Sequence, residues 1–146
     1  NVICAHGGNL NGIGIETAVN SGSDVYLTWQ YMCKFGAGLL IKHDLDVDRF
    51  VFHNNFSNKT CPNTMMTNDL VDMFYEMQVL EYTIAKYYSD YEIKFTSLNP
   101  EIIDNTGRVV NVPNYTTSVS YTITVTKDGV SESITLSSLV FGKYNY

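Results

Sequence analysis

The run His53-Asn-Asn-Phe-Ser-Asn-Lys59-Thr-Cys61-Pro62 places a histidine and a cysteine eight residues apart, with a lysine two before the cysteine. Imidazole nitrogen and thiolate sulfur both bind zinc, at roughly 2.0–2.3 Å, and a catalytic zinc site keeps one position open for water. With Lys59 beside them, the combination points to zinc chemistry on an acyl bond. The stretch Phe50-Val-Phe-His53 predicts a strand that ends at the histidine, so that Cys61 closes the loop that follows. Each residue alone has a blander reading: a loop-edge histidine, a solvated lysine and a small buried hydrophobe. The three together are harder to dismiss.

At these residues the chain resembles the zinc-dependent N-acetylmuramoyl-L-alanine amidases of the type 2 superfamily, which includes phage endolysins, bacterial autolysins and peptidoglycan recognition proteins. That family ends its catalytic core with a strand-terminal His, a loop, and Lys-x-Cys or Lys-x-Asp before Pro, as in His53, Lys59, Cys61 and Pro62. A second stretch, His6-Gly-Gly-Asn-Leu-Asn11-Gly-Ile-Gly-Ile-Glu16, is similar to the family's His-rich loop and its Asn-x-Asn-Ser-Ile-Gly-Ile-Glu strand, with Gly12 where Ser is usual. The resemblance covers about the first ninety residues.

The resemblance implies an α/β amidase domain, a mixed sheet flanked by helices. It implies His53 and Cys61 as zinc ligands, Glu16 as the acid–base group, Lys59 facing the oxyanion, and His6 and Asn11 on the substrate groove. Three protein ligands plus water is the usual catalytic count, and two are found. The family's first zinc histidine lies on an early strand well upstream of the Ile-Gly-Ile-Glu segment, whereas this sequence opens at Asn1. The chain is therefore expected to be the C-terminal part of a longer protein or to work with a complementary N-terminal fragment. His6 or Cys4 stay open as substitutes for the third ligand.

Length and charge narrow the partners. The 146 residues carry 9 basic and 15 acidic side chains, a formal charge of −6, which argues against a nucleic-acid footprint. No apolar run approaches the roughly 18 residues needed to span a bilayer. No charged, apolar, small-residue leader opens the sequence, so any export signal is expected upstream. Bacterial peptidoglycan is the partner the resemblance implies, and the cell wall the location, for a secreted or a phage-encoded protein. Acidity matches anionic wall polymers poorly, so binding there needs specific groups. Three scattered cysteines, Cys4, Cys33 and Cys61, do not read as a disulfide framework and are expected to be reduced.

The elements that would position these residues follow from periodicity. Strands are expected at about 2–6 and 13–18, separated by a glycine-rich loop. Asp24 opens a helix whose apolar positions, Val25, Trp29, Met32, Gly36 and Leu39 or Leu40, form one stripe predicted to lie against a sheet. It should end near Lys42-His43. Asp44-Leu-Asp46-Val-Asp48 superficially resembles a calcium loop, but Arg49 stands where the turn glycine is required and Asn55 where the bidentate glutamate belongs. A second helix is predicted from a cap at Thr67 or Asn68 to about Tyr88, with Leu70, Phe74, Met77, Leu80 and Ile84 on its apolar face.

From Tyr91 onward alternation replaces the helical period. Val119–Thr126 and Ser131–Ser137, joined by Lys127-Asp128-Gly129, predict a β-hairpin. Ile93-Lys-Phe-Thr-Ser-Leu-Asn-Pro-Glu-Ile-Ile-Asp-Asn-Thr-Gly107-Arg-Val-Val is similar to the atrophied bacterial immunoglobulin-like domains, with Leu98 in place of a second Ser. The expected organisation is thus an amidase part over 1–90 and a small all-β immunoglobulin-like module over 91–146, a spacer or wall-targeting unit. The tail holds no His or Cys, and its hydroxyls alternate as the solvent face of a sheet does.

Overall fold

The structure, a computed structural model, describes residues 12–144. The chain divides into two compact units, Asn1–Ser89 and Asp90–Tyr146. Helices occupy the first and an antiparallel sheet the second. Among the described residues no helix is long and apolar enough to cross a membrane. The expected strand at 2–6 lies outside the described residues.

In the first unit, α1 (Val25–Lys42) starts where Asp24 caps it: the carboxylate accepts from the Leu27 N–H at 2.9 Å, satisfying one of the orphan donors of a helix N-terminus. Its buried face is Trp29, Cys33, Gly36, Ala37 and Leu40. A short helix α2 (Asn63–Thr67) precedes α3 (Val71–Tyr87). The single long helix expected from Thr67 or Asn68 is interrupted because Asp69 takes a positive φ of 57°, a left-handed conformation that Asp tolerates better than most residues.

The predicted stripe on α3 is rotated. Phe74, Gln78 and Tyr82 are buried, whereas Leu80 is 57% exposed. Phe74 is the hub of the core: its ring meets Trp29 edge-on at 6.3 Å, Phe50 at 5.9 Å and Phe52 at 5.5 Å. Such aromatic contacts add about 0.5–1.5 kcal/mol each beyond area burial. Among the described residues the apolar stripe of α1 therefore rests on α3 and on Phe50 and Phe52, not on a sheet.

Neither strand expected in this unit forms among the described residues. Phe50 and Phe52 are extended and buried with Val51 and His53 exposed between and after them, but among the described residues no partner strand pairs with them. Residues 13–18 are irregular, and only Ile15 among them packs against the core. Alternation in both stretches reports which side chains are covered, and a strand needs a hydrogen-bonded neighbour as well.

The second unit is a three-stranded antiparallel sheet in the order β1 (Glu92–Ser97), β2 (Thr117–Lys127), β3 (Val130–Val140). The β2–β3 hairpin turns at Asp128 (φ 51°) and Gly129 (φ 79°), the two positive φ values of a type I′ turn. One face is apolar, with Phe95 stacked on Tyr121 at 4.8 Å. The other carries four cross-strand hydroxyl pairs, Ser120–Ser137, Thr122–Thr135, Thr124–Ser133 and Thr126–Ser131, at 2.8–3.2 Å. Asn99, Asp104 and Gly107 shape the connection from β1 to β2. Asn99 Oδ1 accepts from the Ser120 N–H at 2.8 Å, and Asp104 Oδ1 accepts from the Thr106 and Arg108 N–H groups.

Candidate functional site

The loop between His53 and Cys61 is built almost wholly from its own backbone and short polar side chains. A turn of 3₁₀ helix, His53–Asn55, follows Phe52, whose N–H donates to Asn55 Oδ1 at 2.9 Å. The Phe56 N–H donates to the His53 carbonyl at 3.0 Å and the Ser57 hydroxyl to the same carbonyl at 3.3 Å. The loop is then closed by the Asn54 N–H, which donates to the Cys61 carbonyl at 3.1 Å. That bond ties the position next to His53 to Cys61 itself.

Anchorage comes from the two ends. Buried Phe50 and Phe52 hold the incoming chain against α3, and Met65 of α2, 2% exposed, holds the outgoing one. The Cys61–Pro62 peptide is cis. Between the anchors the loop surrounds an open depression of about 300 Å³ lined by Asn54, Ser57, Asn58, Lys59, Thr60 and Met66. His53 and Lys59 are exposed and Cys61 is half-buried, so all three can be reached from solvent.

Of the residues singled out from the sequence, His53, Lys59 and Cys61 share this one loop. Glu16 is exposed on the irregular segment before α1, and among the described residues no hydrogen bond or ion pair joins it to the loop. His6 and Asn11 lie outside the described residues. Among the described residues no group of three His, Cys, Asp or Glu side chains is placed to hold a metal ion. The loop thus offers two donors of the kinds zinc takes, with a cationic side chain between them in the sequence.

Two polar features escaped the sequence reading. Gln78 is fully buried on α3, and neither its Nε2 nor its Oε1 has a hydrogen-bond partner among the described residues. Its neighbours in the α3 sequence gave no signal, because a lone Gln at helical spacing reads as surface. Tyr82 donates to the Leu45 carbonyl at 3.1 Å, and Lys86 bonds the Tyr82 hydroxyl at 2.6 Å and Asp46 at 3.4 Å. The Tyr82 hydroxyl and Asp46 hold the Lys86 ammonium in its charged form, raising its pKa. This cluster fastens the turn after α1 to α3 and has no cysteine or histidine in it.

No protein-family model matches the chain, and neither curated proteins nor solved structures give a match to it.

Proposed function

We propose that this chain belongs to a zinc-dependent N-acetylmuramoyl-L-alanine amidase acting on bacterial peptidoglycan at the cell wall, and that it contributes His53, Lys59 and Cys61 to the active site. The observation that carries the reading is the Asn54 N–H to Cys61 carbonyl bond. It brings the two ends of a nine-residue loop together, with a zinc-type donor at each end and the Lys59 ammonium between them. His53 and Cys61 fit zinc in donor type and would hold it together with a third donor from outside the described residues. When bound, zinc would polarise the amide carbonyl and lower the pKa of a water towards about 7.

The chain's own residues supply the rest. Lys59 presents a fixed positive charge to the oxyanion that develops on the amide carbonyl, and such a charge acts most on the transition state. Glu16 takes a proton from the attacking water and delivers it to the departing L-alanine amine. Residues 91–146 act as an immunoglobulin-like spacer or targeting module without a catalytic part. A second reading is a peptidoglycan-binding protein that does not cleave.

Zinc content and hydrolysis of a soluble muramoyl-peptide, measured on the native protein and on Cys61→Ala, separate these readings. The amidase reading expects bound zinc and turnover in the native protein and the loss of both in the variant. Undiminished zinc in Cys61→Ala removes Cys61 from the site. Retention on insoluble peptidoglycan with no product establishes the binding reading.

A further inference from the structure

Among the described residues no strand pairs with the outer edge of the sheet in the second unit. β3 is hydrogen-bonded to β2 and, among the described residues, to no other strand. Its first ten residues are exposed, Val130 at 68% and Ile134 at 58%. Among the described residues the chain does not fold back over this edge after Val140. Instead the Lys143 and Tyr144 N–H groups donate to the carbonyls of Pro113 and Asn114, which prolongs the pairing on the β2 side.

Natural edge strands are usually short or bulged, or carry lysine or proline, because a long flat edge is a template for another strand. β3 has eleven residues in unbroken register with β2, no proline, and Glu132 as its one charged side chain.

The hairpin turn determines what such an edge can pair with. In a type I′ turn the Val130 N–H points back to the Lys127 carbonyl, so the even-numbered residues of β3 direct their backbone groups to β2. The odd-numbered residues, Ser131, Ser133, Thr135, Ser137 and Leu139, direct theirs outward. Only odd residues can then exchange hydrogen bonds across a two-fold axis with the same strand of a second molecule. Parity therefore carries the faces with it, joining the hydroxyl row to the hydroxyl row and the apolar row to the apolar row.

With the axis at Thr135, all eleven residues pair. Ile134 stands opposite Leu136, Val130 opposite Val140, Ser133 opposite Ser137, and Glu132 opposite Ser138. No charge meets a like charge, and two apolar pairs cross the seam beside Ile123 and Tyr121.

We propose that β3 is a homodimerisation edge, through which two copies of this chain join antiparallel about Thr135 into one six-stranded sheet. Sedimentation equilibrium of the full chain over a dilution series into the micromolar range tests it. A reversible monomer–dimer equilibrium is expected. Thr135→Pro removes an outward N–H that β2 does not use, and Thr135→Lys sets two ammonium groups opposite each other on the axis. Each should weaken the dimer by at least about tenfold while leaving the circular dichroism of the monomer unchanged.

A chain that stays monomeric at every concentration overturns the proposal. So does a dimer that both folded variants retain, since its seam lies elsewhere. If Thr135→Pro unfolds the hairpin, Thr135→Lys decides alone.

Discussion

Gly36 lies against the ring of Phe50 so closely that a Cβ added at the glycine would stand 2.5 Å from Phe50 Cε2 and 3.2 Å from Gln78 Oε1. The missing side chain is what lets the extended segment before His53 press onto α1. The ring is itself packed on Phe74, so it has little room to retreat. Gly38, two residues on, has nothing within 4 Å of its added Cβ. Gly36→Ala should therefore destabilise the first unit by up to about 2 kcal/mol, an overpacking cost of about 1–3 partly offset by about 1 of helix propensity. Gly38→Ala should stabilise it by up to about 1 kcal/mol. Denaturant unfolding followed by the fluorescence of Trp29, the single tryptophan, reads both. Equal effects at the two positions would remove the Phe50 contact as the reason for the glycine.

Cys33 is fully buried on α1, and that burial, aided by Glu81, pushes its thiol from an ordinary 9.0 up to about 12. Between those values the folded state keeps a proton that the unfolded state loses. Stability therefore falls as pH rises through 9, and goes on falling until about 12. Burial of Tyr75 acts in the same direction. Cys33→Ala should show a shallower alkaline decline than the parent in unfolding experiments. Peptide mapping of the metal-free protein after iodoacetamide treatment near neutral pH should find Cys61 alkylated and Cys33 protected, because a buried, protonated thiol is a poor nucleophile. Alkylation of Cys33 in the native state would contradict its burial.

What could be read from the sequence was local. Asp24 as a cap, the helical stripe through Trp29, Gly36 and Leu40, and the Asp128-Gly129 turn each depend on neighbours a few residues away, and each is found in the structure. His53, Lys59 and Cys61 share a loop for the same reason. Phe50-Val-Phe-His53 and Ile13–Ala18 misled because period-two burial does not say what lies alongside the backbone. The break at Asp69 rests on a single left-handed residue, which periodicity cannot register. Gln78 went unseen because its burial is decided by Gly36 and Phe50, both distant in sequence. The relation of Glu16 to the loop is likewise long-range, so no spacing rule could place it.

Asp104 organises the turn after β1 by accepting bonds from the Thr106 hydroxyl at 2.6 Å and from two backbone N–H groups. The Thr106 hydroxyl first, then those N–H groups, hold its carboxyl below its ordinary value. A carboxylate lowered by folding contributes stability above its unfolded pKa, and that contribution disappears as pH falls through the folded value. The second unit should accordingly lose stability on acidification, and Asp104→Asn should flatten that acid limb. Added salt should change the limb only slightly, since short hydrogen bonds and not distant charges set the shift. Acid titration of the turn amides of Thr106 and Arg108 by NMR checks it, and an unchanged limb in the variant would assign the loss to another carboxylate.

Lys59 offers the sharpest separation of chemistry from folding. Its side chain is exposed, and what the loop uses is its backbone: the N–H donates to Ser57 Oγ and the carbonyl accepts from the Cys61 N–H at 2.9 Å. Truncation at Cβ leaves both bonds in place, so Lys59→Ala should melt at the parental temperature. If the ammonium faces the developing oxyanion, the same variant should slow amide hydrolysis on the order of 10²-fold or more, with Lys59→Arg recovering part of the rate. Glu16→Ala, also at an exposed position, should slow hydrolysis by a similar factor through loss of the acid–base group. Assays of the native protein and the three variants on a soluble muramoyl-peptide decide the matter. Parental turnover in either alanine variant, with the fold intact, would strip that residue of its catalytic role.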